Sequence, residues 1–406
     1  MNIITGAKSL LSNLLGGSKK NNAQSGSSIV SYLKTQTTPR TKINATRIRN
    51  AIEAAIRIDN PLWADYIDLC EQAKVDAQIK GLMRTRRFRF SAEAFWVVDW
   101  SDPKKRYRDI ERMFKGSWFS KVKKYFVDTD FYAHSLLEFT LNKKGKLRVR
   151  VVPRQHVVPQ HGKIIRSPFN GASAYVHYNN EEVQAEYNLI EIRRADEDDL
   201  GLFETLIPLY VEKKDAGNDW NIHSEIYSKP IMTITTGDDE RRKKYDNQLR
   251  NAGGNRAIAL HDGEKAENIN SGNKGQEHLM YQERMVFCNK EMAKVVVGQT
   301  LTTEEGSSRS QGEVHERIAN AFLFADLFEF SEWVTEELVP FLIEKLGFKI
   351  PENARFVSKR VLEKEEEENG VKHKKDEATQ QDEVKPAPGE NKNKSSSFFL
   401  PLLTEV

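Results

Sequence analysis

A polar segment between two helical patterns constrains this chain more than any other feature. Tyr281, Met285, Cys288, Met292 and Val295 recur at spacings of four and three, one face of a helix. Val314, Ile318, Ala321, Ala325 and Phe328 then begin a second stripe of the same period. Between them Gly298, Gly306 and Gly312 stand among threonines and serines, which predicts a polar loop joining two helices. At about 100° per residue, Leu327, Phe330, Val334, Leu338 and Phe341 fall nearly opposite the second stripe. From Ala321 to Phe328 the pattern is apolar almost all round, with only Asp326 charged. A helix that changes its buried face has different partners along its length. The spacing therefore predicts a subunit contact through Phe324, Leu327, Phe330, Val334 and Leu338.

With 406 residues the chain can bury a substantial core and make two or three domains. Lys and Arg total 62 against 59 Asp and Glu, a net charge of +3. That balance argues against a general polyanion binder, though not against a protein past which DNA slides. Cys70 and Cys288 are the only cysteines, too few for a disulfide framework or a cysteine-built zinc site, and they suggest a reducing compartment. No apolar run reaches the roughly 18 residues of a membrane helix. Ser12 and Asn13 interrupt the only apolar stretch near Met1, so a cytosolic product without targeting is expected.

Taken in order, residues 1–40 are rich in Ser, Gly, Asn and Lys and read as disordered. An α+β module follows over 41–195. It opens with a helix capped by Asn44 or Thr46, a second carrying Tyr66, Ile67 and Cys70, and a third from Asp76 with Ile79, Leu82 and Met83. Phe88 to Trp100 reads as strand, Asp102-Pro103 as the start of a helix to about Phe126, and Phe131 onward as strands to about Ile192. Residues 196–229 form a helix led by Asp198 and Asp199, with Pro208 inside it. A small α/β insert at 230–275 has strands at Ile231–Thr235 and Arg256–Leu260 around a helix capped by Asp238. A helix at 276–298, a loop at 299–312 and a long helix at 313–350 come next. The remainder, 351–406, is charged and mostly disordered, and carries the apolar peptide Phe398-Phe-Leu-Pro-Leu-Leu.

Catalytic motifs are missing. His315-Glu316 is followed by Ala319 where a zinc-protease helix needs a second His. Gly272-Asn-Lys-Gly lacks the spacing of a phosphate-binding loop. Asp128 with Asp130 suits a turn, and Asp238-Asp239-Glu240 a helix N-terminus. His134 and Glu138 would come together only on a helix, and the local pattern favours strand. His156 and His161 read as surface or packing residues. No catalytic, cofactor or metal site is expected. Arg241, Arg242, Lys243, Lys244 and Arg250 read as a solvated face balanced by the neighbouring acids, or as a contact for DNA phosphate or an acidic partner.

Several stretches resemble one family. Gly298-Gln299-Thr300-Leu301-Thr302-Thr303, the Gly/Ser loop and Val314-His315 are similar to the portal proteins of Mu-like tailed phages. So are Lys213 through Asp219-Trp220 to Tyr227-Ser-Lys-Pro230, and the order Asp76, Ile79, then Arg84 or Arg86. The segment Phe131 to Glu138 matches in part, with Ala133 where the family leads one to expect glycine.

The resemblance spans about 41–350 and implies an α+β portal-type subunit. Its parts are a wing (41–195), antiparallel stem helices (196–229 and 276–298), a clip (230–275), a tunnel loop (299–312) and a long kinked helix (313–350). Beyond 350 there is little to build a helical crown. It further implies a non-enzymatic, cofactor-free ring, commonly a dodecamer, at one capsid vertex among the major capsid protein. Double-stranded DNA would pass through it in packaging and ejection. Terminase would dock on the clip, then head–tail connector or adaptor proteins. The protein would be made in the bacterial host cytoplasm and reside in the virion, with no membrane partner. By the same resemblance, Thr302, Thr303, Glu304, Glu305, Ser307, Ser308, Arg309, Ser310 and Gln311 would line the DNA channel. Arg241, Arg242, Lys243, Lys244 and Arg250 would lie on the clip surface, and Gly298, Gln299, Thr300, Leu301 and Thr302 form the family signature. Two other readings are a metal-dependent nuclease using Asp128, Asp130 and Glu138, and a monomeric adaptor with the long helix as its core.

Overall fold

The computed structural model describes residues 28–34, 42–142, 146–169, 174–194, 196, 199–228, 232–251, 265–268, 277–299 and 309–368. The chain divides into two units, 1–358 and 359–406, and the described part of the second, 359–368, is helical. The apolar peptide at Phe398 to Leu403 lies outside the described residues.

Three helices open the first unit: α1 (Ala45–Ala55), α2 (Ala64–Ala73) and α3 (Ala77–Ala92). Asn44 caps α1 by accepting from Arg47 N at 2.8 Å, and Asp76 caps α3 by accepting from Gln78 N and Ile79 N at 2.9 and 3.1 Å. Helix α3 runs through Phe88 to Ala92, so the strand expected from Phe88 is confined to β1 (Phe95–Asp99). Phe90 explains the difference. It is fully buried, 5.9 Å from the Phe126 ring and 5.2 Å from Phe330, and this packing overrides the β propensity of the stretch.

The helix expected from Asp102 to Phe126 is two helices, α4 (Arg108–Met113) and α5 (Ser117–Tyr132). Asp102 instead forms a turn, accepting from Lys104 N at 3.1 Å. Gly116 separates the two, and a Cβ there would fall 2.7 Å from Trp118 Cδ1. Helix α5 ends at Ala133, whose φ is +65°. Among the described residues it is the one non-glycine with positive φ, at the place where glycine is expected.

Strand β2 (His134–Leu141) is the centre of an antiparallel sheet ordered β3-β2-β7, with β3 (Leu147–Val151) and β7 (Asn188–Arg193). Leu137 pairs with Val151 on one side and Ile190 on the other. A second small sheet joins β4 (Val157–Val158), β5 (Lys163–Ile165) and β6 (Tyr175–His177), followed by α6 (Glu181–Glu186). Its core includes Ile29 with Leu136, Val152, Ile164, Tyr178 and Leu189. Residues 28–34 therefore pack into the module, although 1–40 reads as disordered. The anchor is Glu138, buried in β2, which accepts from Ile29 N at 2.5 Å and Ser28 Oγ at 2.7 Å.

Helix α7 (Phe203–Ser228) contains Pro208 and packs on α9 (Glu277–Val297). His223 faces Tyr281, Gly217 faces Met285 and Glu212 pairs with Arg284, so the two helices run antiparallel. The predicted stripe holds: Cys288 and Met292 are buried, and Tyr281, Met285 and Val295 partly so. Between these helices lie β8 (Met232–Thr235), α8 (Asp239–Asn251) and β9 (Lys265–Asn268), with β8 and β9 antiparallel. The partner of β8 thus comes from the stretch read as connecting loop, while 256–260 lies outside the described residues.

Helix α10 (Arg309–Trp333) begins four residues before the expected start, and continues through a π turn (Val334–Leu338) into α11 (Val339–Leu346). Such a turn is an identifiable cause of helix bending. After Gly347 the chain does not become disordered at 351: β10 (Ala354–Ser358) pairs antiparallel with β1, Phe95 opposite Ser358.

The residues expected at a subunit contact are instead core of the single chain. Leu327, Phe330, Val334 and Leu338 each have 0% exposure within the single chain, and Phe324 is partly buried. Phe330 is the hub of an aromatic core, with the rings of Phe126, Phe95, Phe90 and Phe119 centred 4.9, 5.1, 5.2 and 5.7 Å away. The buried stripe runs unbroken through Ala319, Leu323, Leu327, Phe330, Val334 and Leu338, so α10 does not switch faces. Ala321, Phe322, Ala325 and Phe328 are the exposed apolar residues.

Candidate functional site

The candidate site is the junction of α9 and α10, the helices on either side of 300–308. Gly298 closes α9 with φ +71° and donates to Lys294 O at 3.0 Å, a left-handed helix end that favours glycine. Space demands glycine as well. A Cβ would lie 2.6 Å from Phe322 Cε2 and 3.0 Å from Ile318 Cγ2. The end of α9 is thus pressed against α10 one residue before the buried Gln299.

Beneath this contact lies an ionic network. Arg86 on α3 donates through Nε and Nη2 to the two oxygens of Asp326 on α10, at 3.1 and 2.9 Å, and through Nη1 to Val296 O at 3.5 Å. Arg194, just after β7, reaches Asp326 at 2.7 Å, Glu329 at 2.7 Å and Asp130 at 3.6 Å. Asp130 also pairs with Arg86, and neighbouring Asp128 with Arg87. Burial would push the Asp326 carboxyl up, but the hydrogen bonds and charges of Arg86 and Arg194 outweigh it and hold it below the usual range. Burial likewise opposes the charge on Arg86, and Asp326 and Asp130 overcome it. Two guanidiniums and three carboxylates are thereby committed to one another. The network ties α3, α5 and the residue after β7 to α10.

Asp128, Asp130 and Glu138 are consequently not a metal-binding trio, and the first two lie in helix α5 rather than a turn. Among the described residues no group of three or more His, Cys, Asp or Glu is placed to hold a metal, and no helix is long and apolar enough to cross a membrane. His156 is buried with Nδ1 2.7 Å from Ile165 O, and His161 Nε2 lies 2.8 Å from Ile58 O.

Of the channel-lining candidates, Thr302, Thr303, Glu304, Glu305, Ser307 and Ser308 lie outside the described residues, as do Thr300 and Leu301 of the signature. Arg309, Ser310 and Gln311 open α10, described by their backbone alone. On α8, Asp238 accepts from Glu240 N at 2.9 Å as the expected cap. Arg241 and Arg242 pair locally with Asp238 (3.4 Å) and Asp239 (3.7 Å), Lys243 and Lys244 are exposed, and Arg250 lies in the helix. Sequence reasoning did not find the Arg86–Asp326–Arg194 network. Its signal was Asp326 itself, a lone carboxylate in an apolar run, which must find a cation once buried.

The sequence matches the family described as "Portal protein of Mu bacteriophage" over residues 67–387. No curated protein sequence matches it significantly. Similar solved structures include the virion of a native gene transfer agent particle, at 11% identity over 81% of this chain and 94% of that one, TM-score 0.48. Another is the neck of the native particle computed with C12 symmetry, at 11% identity over 78% and 89%, TM-score 0.47. A third is an HK97 family phage portal protein from Corynebacterium diphtheriae, at 8% identity over 71% and 93%, TM-score 0.38.

Proposed function

Because the chain belongs to the portal protein family of Mu bacteriophage, which is structural and not enzymatic, we propose that it assembles into a closed dodecameric ring at one capsid vertex. The ring conducts double-stranded DNA in packaging and ejection. It sits among the major capsid protein, and its 230–275 insert receives terminase and later the head–tail connector or adaptor proteins. It is made in the host cytoplasm and retained in the virion.

The observation that carries this reading is the apolar surface left bare on the long helices. Phe322 and Phe328 on α10 are 42% and 38% exposed, and Met280 and Phe287 on α9 are 62% and 49% exposed. Large apolar side chains grouped on helix faces mark surfaces that another chain covers. The copies of 300–308 line the axis in this reading, which the close seating of Gly298 on Phe322, where the segment leaves α9, supports.

There Glu304 and Glu305 form carboxylate rings that repel phosphate, and Arg309 opposes them. Both effects are screened within about 10 Å at moderate salt. Weak, balanced contacts let DNA move, whereas added cations hold phosphate. Glu304→Lys with Glu305→Lys should leave rings intact and impair packaging or retention of DNA in an in vitro packaging assay. Wild-type packaging across salt concentrations would remove these residues from the channel wall.

A further inference from the structure

The helix pair α7–α9 carries two unlike surfaces that nothing among the described residues covers. At 100° per residue, Leu279, Met280, Glu283, Val286 and Phe287 fall within roughly 120° on the side of α9 opposite Met285 and Cys288. Met285 and Cys288 face α7, so this second stripe points away from α7. Its apolar members are 39–62% exposed, and Glu283 among them is exposed too.

The other surface is a shallow groove of about 390 Å³ on the flank of α7, lined by Tyr210, Lys214, Gly217, Trp220 and Asn221, with Met285 at its edge. Its rim is firm where Lys213 Nζ meets Asp76 Oδ2 at 2.7 Å. Exposed Lys214 stands with its Nζ 5.8 Å from the Tyr210 ring. Gly217 is the informative residue. Inside a helix glycine is less favourable than alanine. Among the described residues no contact demands it: the nearest atoms to a Cβ would be Met285 Sδ and Cε at 4.0 Å, an ordinary contact, and its φ is not positive. A close neighbour from outside the chain supplies the missing reason.

We propose that the α9 stripe of one subunit, centred on Phe287, seats over Gly217 in the α7 groove of the adjacent copy of this chain, with Glu283 beside the neighbour's Lys214. The assignment rests on the ring reading above and names its stem contact. Stripe and groove are different patches, so the contact is head-to-tail, the kind that closes into a ring. The stripe is apolar around one carboxylate and the groove aromatic around one ammonium, which fixes a second copy as occupant.

Cysteine pairing in the full chain tests it. Phe287→Cys combined with Asn218→Cys or Asn221→Cys should, on oxidation of assembled rings, give a ladder of covalent multimers on a denaturing gel. Either single variant should give none, since native Cys70 and Cys288 are buried. Gly217→Leu should lower ring yield at least tenfold without lowering the thermal midpoint of the unassembled chain, because a Cβ there meets only ordinary contact with Met285 among the described residues. Glu283→Lys should weaken assembly, and Lys214→Glu added to it should restore it. Rings that form normally with Gly217→Leu and yield no ladder overturn this contact and leave the ring reading standing. Wild-type chain that forms no ring overturns both.

Discussion

Arg86 and Asp326 stand 240 positions apart in the chain and form a two-pronged ion pair, with Arg86 also touching the Val296 carbonyl. One guanidinium therefore ties α3 to α10 and to the last turn of α9, the elements on either side of 300–308. The Asp326 side chain is 3% exposed, Arg86 11% and Arg194 9%. Breaking a buried pair by removing one partner leaves uncompensated charge, at a cost of about 3–5 kcal/mol.

Asp326→Ala should therefore destabilise the chain by about 3–5 kcal/mol in denaturant unfolding, and Asp326→Asn by less. The Asp326 pKa is depressed in the fold, so its contribution is present above the ordinary aspartate value of 3.8 and is lost as pH falls through the folded value. A loss below 1 kcal/mol in the alanine variant would show that the network does not hold these helices together.

Ala133 gives a prediction of opposite sign. Its φ of +65° costs a non-glycine residue on the order of 1–2 kcal/mol, while a buried methyl contributes about 0.8 kcal/mol. Ala133→Gly should leave stability unchanged or raise it by up to about 1 kcal/mol. Gly201, packed against the same turn with φ +77°, should not tolerate the reverse change: a Cβ there would lie 2.7 Å from Ala133 N. Thermal melts of Ala133→Gly and Gly201→Ala should move apart, and equal destabilisation by both would contradict the strained turn.

His134 should make the fold sensitive to mild acid. It is fully buried, its ring edge-on to Trp63 at 4.7 Å. Burial foremost, then the charges of Arg154 and Arg193, lower its pKa well below the usual 6.5, opposed only by the Tyr132 backbone. The unfolded chain therefore takes up this proton first. Stability contributed by neutral His134 is full above about pH 6.5 and falls as the pH drops below it. Denaturation midpoints of wild type should decline relative to His134→Phe between pH 7 and 5. Parallel curves would mean that His134 carries no linked proton.

Glu138 should govern the N-terminal segment. Its carboxylate receives Ile29 N–H and the Ser28 hydroxyl out of water, 109 and 110 residues away in sequence. Glu138→Leu leaves the buried Ile29 N–H without its partner, at a cost of roughly 1–3 kcal/mol. Limited proteolysis should then cut before Asn44 at least tenfold faster than in wild type. Unchanged cleavage would place the anchor of this segment elsewhere.

Periodic features were legible and distant pairings were not. The α9 stripe from Tyr281 to Met292, the cap at Asp238 and the start of α3 at Asp76 are local, so the sequence alone locates them, and it narrows the α1 cap to Asn44 or Thr46. Ile29, Glu138, Arg194 and Asp326 take their roles from partners a hundred or more residues away, where spacing carries no signal. Helix α10 shows the limit most plainly. Apolar almost all round from Ala321 to Phe328, it offers no unique buried face until the ring of Phe330 finds Phe95, Phe126 and Phe356. Strand β9 was hidden for a similar reason: Lys265–Asn268 has no strand-like composition, and its pairing with β8 alone defines it.

The central claim, a closed ring with copies of 300–308 around one axis, is tested most directly by electron microscopy of the purified full-length chain. The account predicts rings with an axial channel and rotational symmetry, narrowed where α9 meets α10 at Gly298 and Phe322. Particles that remain single subunits across protein concentrations and salt, or rings whose channel lies away from that junction, would contradict it.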